Sequence, residues 1–192
     1  MLRNCLLASA IILGSSTAIA APVSYTIDPD HTDVLFTWNH FGYSNPTGHL
    51  GLASGTIVFD EAKPEASSVE VSFPLTGMDS HVSKLNEHLK GEEFFDAAKF
   101  PEITFKSSKV EKAAGTNAFT VTGDLTIHGV TKPVVLAATL NSAEMHPMKK
   151  VPAIGFDATT TLKRSDFGVA AYVPKVSDEI KVRITVEAMG SK

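Results

Sequence analysis

From Val34 to Ala188 the chain alternates apolar and polar residues with period two, segment after segment, and the apolar row is built from large side chains. Phe119, Val121, Leu125 and Ile127 fall on one face of such a run, with Thr120, Thr122, Asp124 and Thr126 on the other. Repeated along one chain, this pattern predicts an antiparallel sheet with one dry face. A sheet that large must close or be covered, and closure produces a barrel with an apolar interior. The fold class is therefore all-β.

The predicted strands run from Val23 to Asp28, Asp33 to His40, His49 to Asp60, and then past Lys63-Pro64 through Val69, Val71, Phe73 and Leu75. Pro29-Asp30 and Asn45-Pro46-Thr47-Gly48 separate the first three, and glycines 51 and 55 predict a bend or bulge in the third. The period then changes: Val82, Leu85 and Leu89, spaced three and four apart, predict a short helix capped by Asp79 or Ser80 and stopped at Gly91. Phe94, Phe95 and Phe100 follow without clean alternation, as in a packed loop. Strands resume at Ile103–Val110, Ala118–His128, Lys132–Ala143, Pro152–Arg164 and Glu179–Ala188, with tight links at Gly115-Thr116-Asn117 and His128-Gly129-Val130. Eight or nine strands and one inserted helix, with no linker or repeat, predict a single domain over residues 21–192. Eight antiparallel strands make either a barrel filled by its own side chains or one that holds a small ligand, and the pattern leaves both open.

Residues 1–20 read as a secretory signal peptide: Arg3, an apolar stretch from Leu6 to Leu13, and Ala18-Ile19-Ala20 before the cut. Cleavage after Ala20 removes the one cysteine, Cys5, and leaves 172 of the 192 residues without a thiol, so the exported fold must rest on its core. Loss of Arg3 takes the formal charge from −4 to −5, which provides no electrostatic attraction to nucleic acid or anionic head groups. No further apolar run approaches the length of a membrane span, so stable membrane insertion is not expected. Eleven Phe against three Tyr and one Trp predict an interior with few polar handles, suited to an apolar guest.

Four segments carry a family resemblance. Ile27-Asp28-Pro29-Asp30-His31-Thr32-Asp33-Val34-Leu35-Phe36 resembles the opening Asp-x-x-His-Ser segment of the YceI-like proteins, with Thr32 in place of Ser. His88-Leu89, Phe94-Phe95-Asp96 and Lys99-Phe100-Pro101-Glu102-Ile103-Thr104-Phe105 resemble the helix-and-loop signature, although Asn86 stands where members often carry a charge. Val121 to Pro133, with Asp124-Leu125-Thr126-Ile127-His128-Gly129-Val130 at its centre, is similar to the family's strand-turn-strand, and Arg164-Ser165-Asp166-Phe167-Gly168 to its closing stretch. The resemblance implies an extended eight-stranded antiparallel barrel of lipocalin-like shape. It also implies a long hydrophobic pocket that takes a polyisoprenoid or similar lipid, in the bacterial periplasm. The function expected is non-catalytic carriage of such a chain, with no cofactor. Pairing of two copies as a homodimer stays open.

Other chemistry finds little footing. Gly42-Tyr43-Ser44-Asn45-Pro46 lacks the second glycine of a nucleophile elbow. Of the seven histidines, His31 and His40 stand roughly 30 Å apart along a straight strand and His81 and His88 about two helical turns apart, so no metal site is expected. Arg164, beside Asp166 and Phe167, either fixes a turn through hydrogen bonds or holds a polar lipid head at the barrel mouth. Phe36, Trp38, Phe59, Phe73, Phe105, Phe119 and Phe156 point inward as pocket lining or core, and Leu85 and Leu89 close one end. With Ile127, Arg164 and Phe167 they form the candidate ligand-contacting set. Two rivals are an enzyme acting on a bound isoprenoid through Arg164, Asp166 and a histidine, and a filled barrel serving as an interaction module in envelope stress.

Overall fold

The computed structural model describes residues 21–191, so the leader reading and Cys5 lie outside the described residues. Eleven strand segments follow in chain order: β1 (Val23–Ile27), β2 (Asp33–Thr37), β3 (Thr47–Leu50), β4 (Ser54–Phe59), β5 (Ser68–Pro74), β6 (Met78–Asp79), β7 (Glu102–Lys112), β8 (Ala118–Ile127), β9 (Val130–Met145), β10 (Pro152–Lys163) and β11 (Glu179–Gly190). One α-helix, α1 (Ser83–Lys90), lies between β6 and β7.

Pairing runs β1-β4-β5-β7-β8-β9-β10-β11 and returns from β11 to β1, a closed antiparallel barrel of eight strands. The extra segments arise because three barrel strands are interrupted. β1 and β2 both pair with β11, Tyr25–Ile27 against residues 188–190 and Asp33–Thr37 against residues 181–185, so they are two halves of one strand kinked at Pro29–His31. β3 and β4 are likewise halves of one strand broken at residues 51–53, and β6 continues β5 beyond a turn of 3₁₀ helix at Leu75–Gly77. The single strand expected over His49–Asp60 is thus split, near the glycines that foretold a bend. Gly55 is irreplaceable there: its φ is +155° and a Cβ would collide with the Glu70 carbonyl.

Three further expectations are corrected. The strand expected to reach His40 stops at Thr37, because the chain turns away to bond another loop, Phe41 N–H donating to the Lys175 carbonyl and Ser177 N–H to that of Asn39 (both 2.9 Å). β9 runs from Val130 to Met145 rather than from Lys132 to Ala143. Its start is set by a two-residue hairpin in which His128 and Gly129 both have positive φ (52° and 72°) and Ile127 pairs with Val130. Neither Asp79 nor Ser80 caps α1, whose first residue follows Val82. Instead Asp79 accepts from His81 N (2.8 Å) and Asn86 Nδ2 (3.0 Å), and the Ser80 hydroxyl donates to Asn86 Oδ1 (2.6 Å). Asn86, a polar residue inside the helix, thereby braces the turn that leads into it. Gly91 ends the helix as expected, its N–H donating to the His88 carbonyl.

The kink between β1 and β2 has its own lock. Asp28, buried, accepts from Asp30 N (3.1 Å) and from Lys149 Nζ (2.8 Å), with His31 Nδ1 at 3.3 Å. The Lys149 hydrogen bond holds the Asp28 carboxyl below the usual carboxylate range, against the opposing effect of burial. The residues of the opening motif thus shape the backbone of a barrel strand.

Candidate ligand-binding cavity

The inward rows do not meet across the barrel. They enclose a cavity of about 510 Å³, within the size range of small-molecule sites. Phe36, Val121, Leu136, Phe156, Ile184 and Val186 point inward yet are only half-buried, since their free surface faces this void. Along β10 the lining includes Phe156, Ala158, Thr160 and Leu162 and continues to Arg164, so the space follows roughly 26 Å of strand at about 3.3 Å per residue.

One end is plugged by aromatic rings. Phe59 meets Phe119 at 5.7 Å between centroids and Phe156 at 5.3 Å, and Phe119 meets Phe156 at 6.2 Å, all edge to face. These arrangements suit the ring quadrupoles and bring together rings from three strands, β4, β8 and β10. The other end carries α1 and the loops around residues 38–46 and 164–178. Four of the five exposed lining residues, His40, Phe41, His88 and Tyr172, lie at this end, which is therefore the mouth; the fifth, Ser68, is at the opposite one.

All twelve candidate residues line this space. Phe36 stacks on Trp38 at 5.8 Å, and its ring covers Gly48, the residue paired with it on β3, where a Cβ would collide. Phe73 and Phe105 come from neighbouring strands β5 and β7, and Phe105 covers Gly123 on β8 in the same manner. Ile127 stands at the end of β8, while Leu89, buried, and Leu85, half-buried, face the cavity from α1. Phe167 is almost fully buried and packs with Phe105 and Val134 in a second apolar cluster.

Arg164 takes the turn-fixing role. Its Nε donates to the Ser177 carbonyl (2.9 Å), Nη1 to Val169 (2.8 Å), and Nη2 to Ala171 (2.7 Å) and Val176 (3.0 Å). Four of the five N–H groups of a guanidinium are thus spent on backbone carbonyls, which leaves little for a head group. Burial depresses its pKa, partly opposed by Asp178. Asp178 in turn accepts from the Ser165 N–H (2.9 Å) and hydroxyl (2.8 Å), and those bonds outweigh its own burial to keep its pKa low. Of the candidates for the enzyme reading, Arg164 is taken up by carbonyls, Asp166 is exposed and outside the lining, and His40 and His88 line the cavity at its mouth. Among the described residues no group of three or more His, Cys, Asp or Glu is arranged to hold a metal ion.

Two kinds of lining residue escaped the sequence reading. The first is a pair of alanines, Ala138 on β9 and Ala158 on β10, directly opposite one another in the inward row. Small residues in a row otherwise built from large ones signal that the centre is left empty. The second is the mouth group. Tyr172 donates to Glu93 Oε2 (3.3 Å), stacks on Phe94 at 6.1 Å, and lies 6.3 Å from the His88 ring. The Glu93 charge pushes the pKa of the Tyr172 phenol upward. This contact joins segments far apart in sequence, and no local pattern announces it.

Residues 25–188 match the family model for the YceI-like domain. The chain belongs to the YceI-like family. A UPF0312 protein of Pseudomonas syringae pv. tomato is 38% identical over 197 residues, covering all of both chains. Among solved structures, BcnA of Burkholderia cenocepacia superposes with a TM-score of 0.75 at 26% identity, covering 84% of this chain and 99% of that one. A polyisoprenoid binding domain of Saccharophagus degradans, implicated in plant cell wall breakdown, superposes at 0.69 with 14% identity over 88% of this chain and 99% of that one, a likeness of fold. The YceI-like motifs now have structural roles: Asp28 and His31 lock a kink, His128-Gly129 makes the hairpin, and Arg164 to Gly168 clamp the loop at the mouth.

Proposed function

We propose that this YceI-like barrel binds a long apolar lipid, a polyisoprenoid chain or similar amphiphile, in its interior and carries it without altering it. One observation carries the reading: a void of about 510 Å³ whose walls are almost entirely aliphatic and aromatic side chains. Water gains few hydrogen bonds in such a space, whereas a hydrocarbon chain recovers contacts there. Burying twenty carbons gives a gross gain of about 16 kcal/mol at roughly 0.8 kcal/mol per methylene. Association and ordering remove roughly 4 to 15 kcal/mol, and costs in the lower part of that range, up to about 8 kcal/mol, leave micromolar-to-nanomolar affinity. Selection rests on chain length and shape, because the walls offer few donors.

The same fold serves as a polyisoprenoid binding domain in S. degradans, which supports a lipid as the ligand class. In this proposal the leader at residues 1–20 exports the protein to the periplasm, where such a chain has to cross water between two membranes. Native mass spectrometry of the exported protein, followed by denaturing extraction, tests the reading. A bound lipid, or saturable uptake of a fluorescent prenyl analogue by stripped protein, is the expected result. Protein that is empty as isolated and takes up no analogue overturns it.

A further inference from the structure

Two loops at the mouth present aromatic side chains to solvent rather than to the cavity alone. Tyr43 is 92% exposed, Tyr172 52%, Phe41 46% and Val173 36%, a concentration of apolar surface that a water-soluble rim does not need. The loops form one body: His40 bridges Ser44 and Val176, Phe41 N–H donates to the Lys175 carbonyl, and Val176 N–H to that of Tyr172. Phe41 and Tyr172 are held there at positive φ (54° and 63°), a conformation that bulky residues avoid.

Charge is sparse on these segments. Residues 38–46 contain no Asp, Glu, Lys or Arg, and residues 169–177 contain only Lys175, while the Glu93 carboxylate reaches the Tyr172 hydroxyl from the neighbouring loop. Phe41 and Tyr172 also line the cavity, so the exposed patch and the lipid space are one continuous apolar surface. A hydrocarbon chain leaving the cavity elsewhere crosses water; leaving here, it passes along these rings.

From this we infer that the rim formed by Phe41, Tyr43, Tyr172 and Val173 docks transiently on a phospholipid bilayer, placing the barrel mouth against the membrane so that the chain passes between the two without entering water. The inference rests on the lipid-binding reading for its purpose but not for its test. Aromatic side chains of this kind partition to the membrane–water interface, and apolar attachment is insensitive to salt, unlike capture by anionic head groups. Among the described residues no helix is long and apolar enough to cross a membrane, in keeping with a surface contact.

The experiment is flotation of the stripped protein with phosphatidylcholine vesicles, together with transfer of a fluorescent prenyl chain from those vesicles. The variants are Tyr43→Asp and, as a control at the far end of the barrel, Met148→Asp, which replaces another exposed apolar side chain (85%). Neither residue lines the cavity. The wild type is expected to float at low and high salt alike, and to accept lipid at a rate that rises with vesicle concentration. Tyr43→Asp is expected to lower flotation and transfer about tenfold, since a carboxylate is strongly disfavoured in the interface, with Met148→Asp unchanged. Loading from detergent is expected to stay equal in all three. Equal flotation by both variants, or transfer independent of vesicle concentration, overturns the docking while leaving lipid binding intact. Failure to load from detergent overturns lipid binding, and flotation still decides the docking by itself.

Discussion

Ala158→Phe separates a hollow barrel from a filled one. Ala158 sits midway along β10, opposite Ala138 on β9 and Ile184 on β11, and its methyl group faces the cavity. In a close-packed core an added ring forces side chains off their rotamers and costs about 1–3 kcal/mol. Here the ring enters empty space. If roughly half of a phenylalanine's ~200 Å² is covered by Val121, Leu136 and Ile184, burial at about 25 cal/mol per Å² contributes ~2.5 kcal/mol, reduced by the ordering of one side chain. For a chain of this length that corresponds to a rise in Tm of about 2–6 °C. The same ring narrows the tunnel at its middle, so uptake of a prenyl chain should fall by an order of magnitude or more. The assay is denaturant and thermal unfolding of stripped protein, because bound lipid would stabilise the wild type by mass action, combined with titration of a fluorescent prenyl analogue. Loss of 1–3 kcal/mol with uptake unchanged would refute the reasoning, since it would mean that the side chains already meet at the centre.

Other perturbations address the supports of the cavity. Phe36→Ala removes a ring that forms the wall beside Trp38 and should weaken uptake about tenfold, read through the fluorescence of that single tryptophan; unchanged affinity with a stability loss of about 3–5 kcal/mol would make Phe36 core instead. Arg164→Lys cannot reproduce bonds to four carbonyls and should cost about 2–4 kcal/mol in urea unfolding, with lipid affinity of the folded fraction kept within about threefold. A larger loss of affinity than of stability would return a head-group role to Arg164. Gly55→Ala should destabilise by about 3 kcal/mol or more, as the added Cβ meets the Glu70 carbonyl; a variant as stable as the wild type would contradict the strand geometry. Asp28 has a lowered folded pKa, so it contributes stability that is complete above its unfolded pKa of about 3.9 and is lost as pH falls through the folded value. Unfolding free energy should therefore stay level from neutral pH to about 5 and drop below about 4, with a shallower drop in Asp28→Asn; identical slopes would remove the Lys149 pair from the acid response.

The barrel was legible because burial on one face leaves a mark every second residue. Phe119, Val121, Leu125 and Ile127 line the cavity as the alternation places them, and Val82, Leu85 and Leu89 marked the place of the one α-helix among the described residues. Boundaries were less legible where the chain bonds to distant segments. Thr37 ends β2 because residues 39–41 pair with residues 175–177, and Asn86 rather than Asp79 or Ser80 organises the start of α1. The first partner lies more than 130 residues away along the chain, and the second, six or seven residues on, reaches back from inside the helix to the turn before it.

Residue pattern alone determined that one face of every strand is apolar, that the strands are antiparallel, and that one helix interrupts them, since each follows from side-chain direction along a regular backbone. It left open whether opposing faces touch. That depends on the barrel's diameter, which is a property of closure: eight strands, three of them kinked, hold the walls apart while Ala138 and Ala158 leave the middle unfilled. It also could not assign Arg164, whose carbonyl partners lie 5 to 13 residues away and converge on it only when the loop at the mouth folds back. Periodicity records which way a side chain points; only the tertiary structure sets how far it is from what it faces.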